Sequence, residues 1–204
     1  EIAVLKFKGN AFDMICDLEV SGHNFFLIDQ ANNNPAIKCI IFFNENDTFG
    51  DSFYEKFAQN IMENCGCDKE RKKLPDYEKR FIRSREIKML DRVIVKMMQS
   101  KKIIIAAFRG DVVTPFIGCS LVADFRYFAE GSILNFSHVR YGFHPSGASA
   151  YFLPKFIGRQ RAIEYLLGGK QIRVEEALGL NLINNIFPEE NFEESVIAEA
   201  RSLC

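Results

Sequence analysis

Two stretches of the chain are apolar almost from end to end, and elsewhere apolar residues recur at helical spacing. AIKCIIFFNE (36–45) and KKIIIAAFRG (101–110) have strand length and no polar alternation, the pattern of strands covered on both faces of a parallel sheet. IAVLKFKG (2–9), rich in β-formers and closed by Gly9-Asn10, predicts an earlier strand. Phe12, Ile15 and Leu18 have helical spacing within 11–34, until Asn32-Asn33-Asn34-Pro35 interrupts the chain. Ile82, Ile87, Leu90, Ile94, Met97 and Met98 predict an amphipathic helix over 81–100. TPFIGCSLVADF (114–125) fits a short helix with Thr114 as N-cap and Pro115 at the first helical position. FRYFAE and SILNF predict short strands, Gly142 and Pro145 break the chain, and ASAYFLPKFIG, RAIEYLLGG and VEEALGL predict closing helices. Strands alternating with helices argue for an α/β domain with a parallel sheet. Ligands of such sheets gather beyond the carboxyl ends of the strands, which singles out the loops 46–53 and 109–118.

Composition narrows the possibilities. The chain has 204 residues, with Lys and Arg totalling 26 against 27 Asp and Glu. A net charge of −1 rules out the broad basic field of a nucleic-acid binder and disfavours a polybasic membrane anchor. No run approaches the ~18 apolar residues of a membrane span. Residues 1–8 read as a strand rather than as a leader. The charged stretch 54–80 reads as a solvated helix–loop–helix face. Six cysteines are too sparse for a disulfide framework, and Cys65-Gly66-Cys67 lacks the second pair a zinc site needs. Reduced thiols in a cytoplasmic protein are therefore expected, with Cys119 a core thiol. No phosphate loop or dinucleotide fingerprint is present, and no metal or redox cofactor is expected.

The order of segments over 101–188 resembles the crotonase (enoyl-CoA hydratase/isomerase) superfamily. KKIIIAAFRG leads into a loop and a helix ending in Ala123-Asp124, followed by SILNFSHVRYGFHPSGASAYFLPKFIG and RAIEYLLGGKQIRVEEALGLNLINNIFP. Earlier, Asn10-Ala11-Phe12 resembles the family's "NAL" and 48–53 its "FSAGADL". The resemblance implies one crotonase-like domain over 1–204. A spiral of ββα turns with parallel sheets (1–150) would precede a helical region (151–204), with the family's last helices cut short. It further implies an acyl-CoA or acyl-carrier-protein thioester as substrate and assembly as a homotrimer or hexamer.

In this family an acyl-thioester carbonyl develops enolate charge, and two backbone N–H groups stabilise it. The resemblance places one donor at Asp51, after the loop glycine, and the other at Pro115, which has no N–H; Phe116 would supply the second donor if the loop is shifted. The family's two hydratase glutamates fall at Gly118 and His138. Standard hydration, which needs paired proton-transfer groups, is thus disfavoured, and His138 is left as proton-transfer candidate. The 141–149 run is similar to that of crotonase-like decarboxylases of polyketide assembly lines, which makes His144 a second candidate; a turn histidine is the alternative. Asp51 and Asp111 read most simply as turn residues, with proton transfer or substrate orientation as the alternative. Lys155, Arg159, Arg161 and Lys170 could meet the phosphates of CoA or lie on a solvated surface. The expected function is an isomerase, lyase or decarboxylase acting through a thioester enolate. The rival is a catalytically inactive crotonase-fold binding or assembly protein.

Overall fold

Apolar runs and amphipathic stretches alternate to give, in the computed structural model, strand β1 (Ile2–Phe7), helices α1 (Ala11–Cys16) and α2 (Leu18–Asn33), and strand β2 (Cys39–Asn44). Helices α3 (Asp51–Glu63) and α4 (Asp76–Gln99) precede β3 (Ile103–Phe108), β4 (Asp111–Val113), α5 (Thr114–Ser120), β5 (Phe125–Ala129) and β6 (Ile133–Asn135). A 3-10 turn over Ser137–Tyr141 leads to α6 (Ser149–Ile157), α7 (Arg159–Gly168), β7 (Gln171–Arg173), α8 (Val174–Gly179), β8 (Asn185–Phe187) and α9 (Phe192–Leu203). The structure describes residues 1–63 and 76–204. Cys65, Cys67 and the middle of the charged 54–80 stretch lie outside the described residues.

The main sheet runs β1-β2-β3-β5-β8 with every pair parallel. All six residues of β2 are buried, because both faces of the sheet are covered. Ile40 and Phe42 pack with Phe12, Phe49, Ile104, Ala106, Phe108 and Phe116 on one face. Cys39, Ile41 and Phe43 point the other way, against Phe192, Val196 and Ala200 of α9. The period-2 alternation of a strand thus feeds two cores at once.

The second sheet runs β4-β6-β7. Its β6–β7 pair is antiparallel, a departure from the expected all-parallel arrangement. The region 151–204, expected to be helical, holds α6 to α9 and in addition the strands β7 and β8. Each is three residues long, too short for any periodicity to show.

The helical pattern over 11–34 is two helices. Asn10 caps α1 by accepting from the Phe12 N–H at 3.0 Å. Asp17 interrupts the pattern and caps α2, accepting from the Glu19 and Val20 N–H groups at 2.8 and 3.0 Å. The Asn44 side chain sits at the end of β2 and fixes the two candidate loops at their roots. It accepts from the Arg109 N–H at 2.9 Å and donates to the Arg109 carbonyl at 3.0 Å.

Candidate active site

After β2 the chain turns sharply. The Gly50 N–H donates to the Asp47 carbonyl at 2.8 Å, and Asp47 itself has φ +64°. Asp51 is therefore the first residue of α3, where a backbone N–H has no acceptor within the helix. Gly110, at φ +73°, turns the end of β3 into β4, which Asp111 opens. Neither aspartate is the turn residue expected from the sequence.

The two loops meet. The Val113 N–H donates to the Phe49 carbonyl at 2.9 Å, and the Phe49 and Phe116 rings stack with centroids 4.0 Å apart. The Asp51 N–H donates to Asp111 Oδ2 at 2.9 Å, so the first expected oxyanion donor already holds an anionic oxygen. The Asn135 side-chain amide reaches the same Oδ2 at 3.4 Å, whereas the buried Oδ1 has no hydrogen-bond partner among the described residues. The Asp51 carboxylate is turned outward, ion-paired with Arg140 and accepting from the Tyr141 hydroxyl at 3.1 Å. Burial, with Asp51's charge as a smaller contribution, pushes the Asp111 carboxyl above its ordinary range, against the pull of the Asp51 amide.

Thr114 and Pro115 lie inside α5, and Val113 is its N-cap, with no side-chain capping bond. The Thr114 hydroxyl goes elsewhere, to His138 Nδ1 at 2.7 Å. Phe116 falls in the first turn of α5, where helix geometry leaves N–H groups without an intrahelical acceptor.

His138 is 1% exposed and lies in the 3-10 turn after β6. Burial pulls its pKa down to about 4, partly offset by a backbone interaction with Leu166 of α7. The ring is neutral near pH 7; its Nδ1 is bonded to Thr114 of α5, and its buried Nε2 has no hydrogen-bond partner among the described residues. It makes no direct hydrogen bond to Asp51 or Asp111.

Gly118 is packed shut. A Cβ there would collide with the Gly147 carbonyl oxygen and the Ser149 hydroxyl, and a Cβ on Gly147 would collide with the Pro115 carbonyl. The 146–149 backbone thus occupies the space into which a glutamate at 118 would have to project. Helix α4 holds this segment. Glu86 pairs with Arg83 and accepts from the Ser146 hydroxyl at 2.9 Å, while Arg83 Nη2 donates to the His144 carbonyl at 2.8 Å. His144 takes part through its backbone and is exposed.

Behind Phe49 and Phe116 lies a cavity of about 70 Å³, lined by Phe42, Met97, Phe108 and Cys119 among others. Cys119 is 8% exposed, and burial raises its thiol pKa, which fits the core role expected for it. Cys16, Cys39 and Cys204 are also free thiols. Lys155, Arg159, Arg161 and Lys170 are exposed, and Lys155 lies 3.6 Å from the centre of the Tyr151 ring. Among the described residues no cluster could hold a metal ion. No helix among them is long and apolar enough to cross a membrane.

The sequence brought attention to both loops but missed the Thr114–His138 bond, the Glu86 clamp and the Asp51–Asp111 bond. The last joins residues 60 positions apart, and only their placement in two strand-end loops hinted at it.

The ends of β2 and β3 thus present paired loops, one of which offers an amide to a carboxylate oxygen, and the class of the chain is that of the enoyl-CoA hydratase/isomerases. The chain belongs to that family, whose model matches residues 79–204. Over 112 residues it is 28% identical to 4-chlorobenzoyl coenzyme A dehalogenase-1 of Arthrobacter sp, a stretch covering 55% of this chain and 41% of that protein. Over 61 residues it is 41% identical to enoyl-CoA delta isomerase 2 of Rattus norvegicus, covering 30% of this chain and 15% of that one. The solved enoyl-CoA hydratase of Polaromonas sp. JS666 superposes with a TM-score of 0.76 at 21% identity, covering 100% of this chain and 74% of its own. That likeness carries the fold. The matched stretch spans under half of the dehalogenase's length.

Proposed function

We propose that the chain is an acyl-thioester enzyme that stabilises a thioester enolate and moves a proton, as an isomerase, lyase or decarboxylase, rather than hydrating a double bond. One observation carries this reading. The N–H at the start of α3 engages a carboxylate oxygen at 2.9 Å, so this amide is already set to hold an oxyanion. Asp51 supplies the first donor. Phe116 supplies the second, in place of Pro115, and its stacking on Phe49 keeps the two donor segments together. Hydration is disfavoured because Gly118 has no side chain and no room for one. The family membership and the names of its relatives favour a coenzyme A thioester; acyl-carrier protein is the other carrier. Assembly as a homotrimer or hexamer in the cytoplasm belongs to the same reading, with no cofactor beyond the substrate's own thioester.

The second reading, a catalytically inactive crotonase-fold binding or assembly protein, is favoured by the closed wall at Gly118 and the missing N–H at Pro115. Exchange of the α-protons of butyryl-CoA in D2O separates the two. The enzyme reading expects catalysed exchange, and Asp51→Pro should slow it about 10²–10³-fold, because proline is tolerated at a helix start but lacks the N–H. Asp51→Asn keeps the amide and should retain most of the rate. Binding of butyryl-CoA without any exchange would select the inactive reading.

A further inference from the structure

We propose that Asp111 is the proton-transfer residue of this site, a catalytic residue whose carboxylate yields its place at the Asp51 amide to the substrate's thioester oxygen. The inference rests on the acyl-thioester reading above and names the group that reading leaves open.

Three observations converge on Asp111. Its Oδ2 touches the expected oxyanion donor directly, which neither His138, held by Thr114, nor the exposed His144 does. Its Oδ1 is buried with no hydrogen-bond partner among the described residues. It takes part in none of the ion pairs seen there, because Arg140 is engaged by Asp51. A purely structural capping carboxylate would fill its acceptor capacity, because a buried oxygen without a partner is destabilising. That arrangement leaves a lone pair for a proton. Desolvation also raises the carboxyl's proton affinity, the direction a base at neutral pH requires.

The placement has an electrostatic logic. When the thioester oxygen takes the Asp51 N–H, the displaced carboxylate loses a hydrogen bond that favoured its charged form and becomes a stronger base beside the substrate's α-carbon. A carboxylate oxygen of Asp111 takes a proton from that carbon. The C–H electron pair becomes the new C–C π bond, and the carbonyl π pair moves to oxygen as the enolate. For a β,γ-unsaturated chain the neutral carboxyl then returns its proton to the γ-carbon. The enolate pair re-forms the carbonyl, and the double bond ends one position nearer to it. No oxidant, reductant or water is consumed. One negative charge passes from Asp111 to the enolate oxygen and back, beside the same N–H.

The test is conversion of vinylacetyl-CoA to crotonyl-CoA by the 204-residue chain. Asp111→Asn leaves an oxygen for the Asp51 amide but no base. Its kcat should fall about 10²–10⁴-fold with KM within about threefold of the unaltered protein and no loss of thermal stability. Asp111→Glu should recover part of the rate. Should Asp111→Asn not fold, butyryl-CoA exchange by Asp111→Glu decides instead, measurable exchange supporting the assignment and none overturning it. Near-normal kcat in Asp111→Asn, or a loss explained by weaker binding, overturns the role of Asp111 while leaving the enolate reading intact. An unaltered protein that neither isomerises vinylacetyl-CoA nor exchanges butyryl-CoA overturns both.

Discussion

The two flanks of α5 are built on opposite plans. On the Asp51–Asp111 flank a backbone amide faces a carboxylate, one acceptor oxygen is left over, and an exposed arginine closes the outside. On the His138–Gly118 flank the space beside Gly118 is filled, and the buried His138 Nε2 has no hydrogen-bond partner among the described residues. Thr114 holds the imidazole, and the 146–149 backbone lies against a helix that has glycine where it passes. Gly118 and His138, where the resemblance would place the family's hydratase glutamates, lie on the second flank. Main chain occupies the space a side chain at 118 would need, so a carboxylate there would have no room. On the first flank the unpartnered carboxylate oxygen belongs to the group that meets the amide donor.

Gly118→Glu tests that contrast most severely. A hydratase-like vacancy would accept the side chain at little cost. The packed wall predicts destabilisation by about 3 kcal/mol or more, since the Cβ alone meets main-chain oxygen and the carboxylate would be buried without a partner. For a chain of this size that is roughly a 6–12 °C fall in Tm, measurable by calorimetry. Stability equal to the unaltered protein, together with new hydratase activity on crotonyl-CoA, would erase the distinction between the flanks.

The same contrast explains what the sequence could reveal. Continuous apolar runs announce β2 and β3 because both faces of those strands are buried, and this requirement acts on every residue. Helix α5 was legible from Pro115 and its apolar content, but its start was placed one residue late, because Thr114 reads as a cap and is spent instead on His138. Strands β4, β7 and β8 escaped because three residues carry no period; β6, equally short, showed only because it lies in the apolar SILNF run between Gly131 and the following turn. At the site, resemblance pointed to the Asp51 amide. It gave no sign that Asp111 would engage that amide, since the bond depends on where Gly110 aims the chain. Equally, the closure at Gly118 comes from a segment almost 30 residues away whose backbone conformation rests on Gly147, at φ +66°.

His138 sharpens the comparison through pH. Its pKa of about 4 in the native state lies below the ordinary 6.5. The unfolded chain therefore takes up the proton first. The stability associated with neutral, buried His138 is fully present above about pH 6.5 and is lost as pH falls toward 4, by about 3 kcal/mol at most. Asp111 and Glu86, whose carboxyls are raised by burial, act in the opposite sense over the acid range, because their neutral forms are favoured in the native state. The difference between urea-unfolding curves of the unaltered protein and His138→Gln isolates the histidine. It should shrink steadily from pH 7 to pH 4.5 if the ring is a structural strut. The same variant should keep α-proton exchange within about an order of magnitude, whereas loss of 10²-fold or more would move proton transfer to the second flank.

The smallest expected effect is at Arg140. Its side chain is 58% exposed, and its partner, the Asp51 carboxylate, also accepts from Tyr141. An ion pair in that setting contributes between nothing and about 1 kcal/mol, and less as salt screens it. Arg140→Ala should therefore leave urea-unfolding stability within about 1 kcal/mol, with the residual difference fading between low and high salt. Its effect on exchange should be distinct in kind. The guanidinium is among the charges that lower the Asp111 pKa, so its removal should raise that pKa and shift the rise of exchange rate with pH to a higher pH, leaving the plateau rate nearly unchanged. Asp51 is the other charged group facing Asp111, and it keeps the Tyr141 hydroxyl when the arginine is gone. A shifted profile without lost stability would tie the first flank to proton chemistry by a residue that touches neither the amide nor the substrate. An unshifted profile would mean that the group titrating in the reaction is not Asp111.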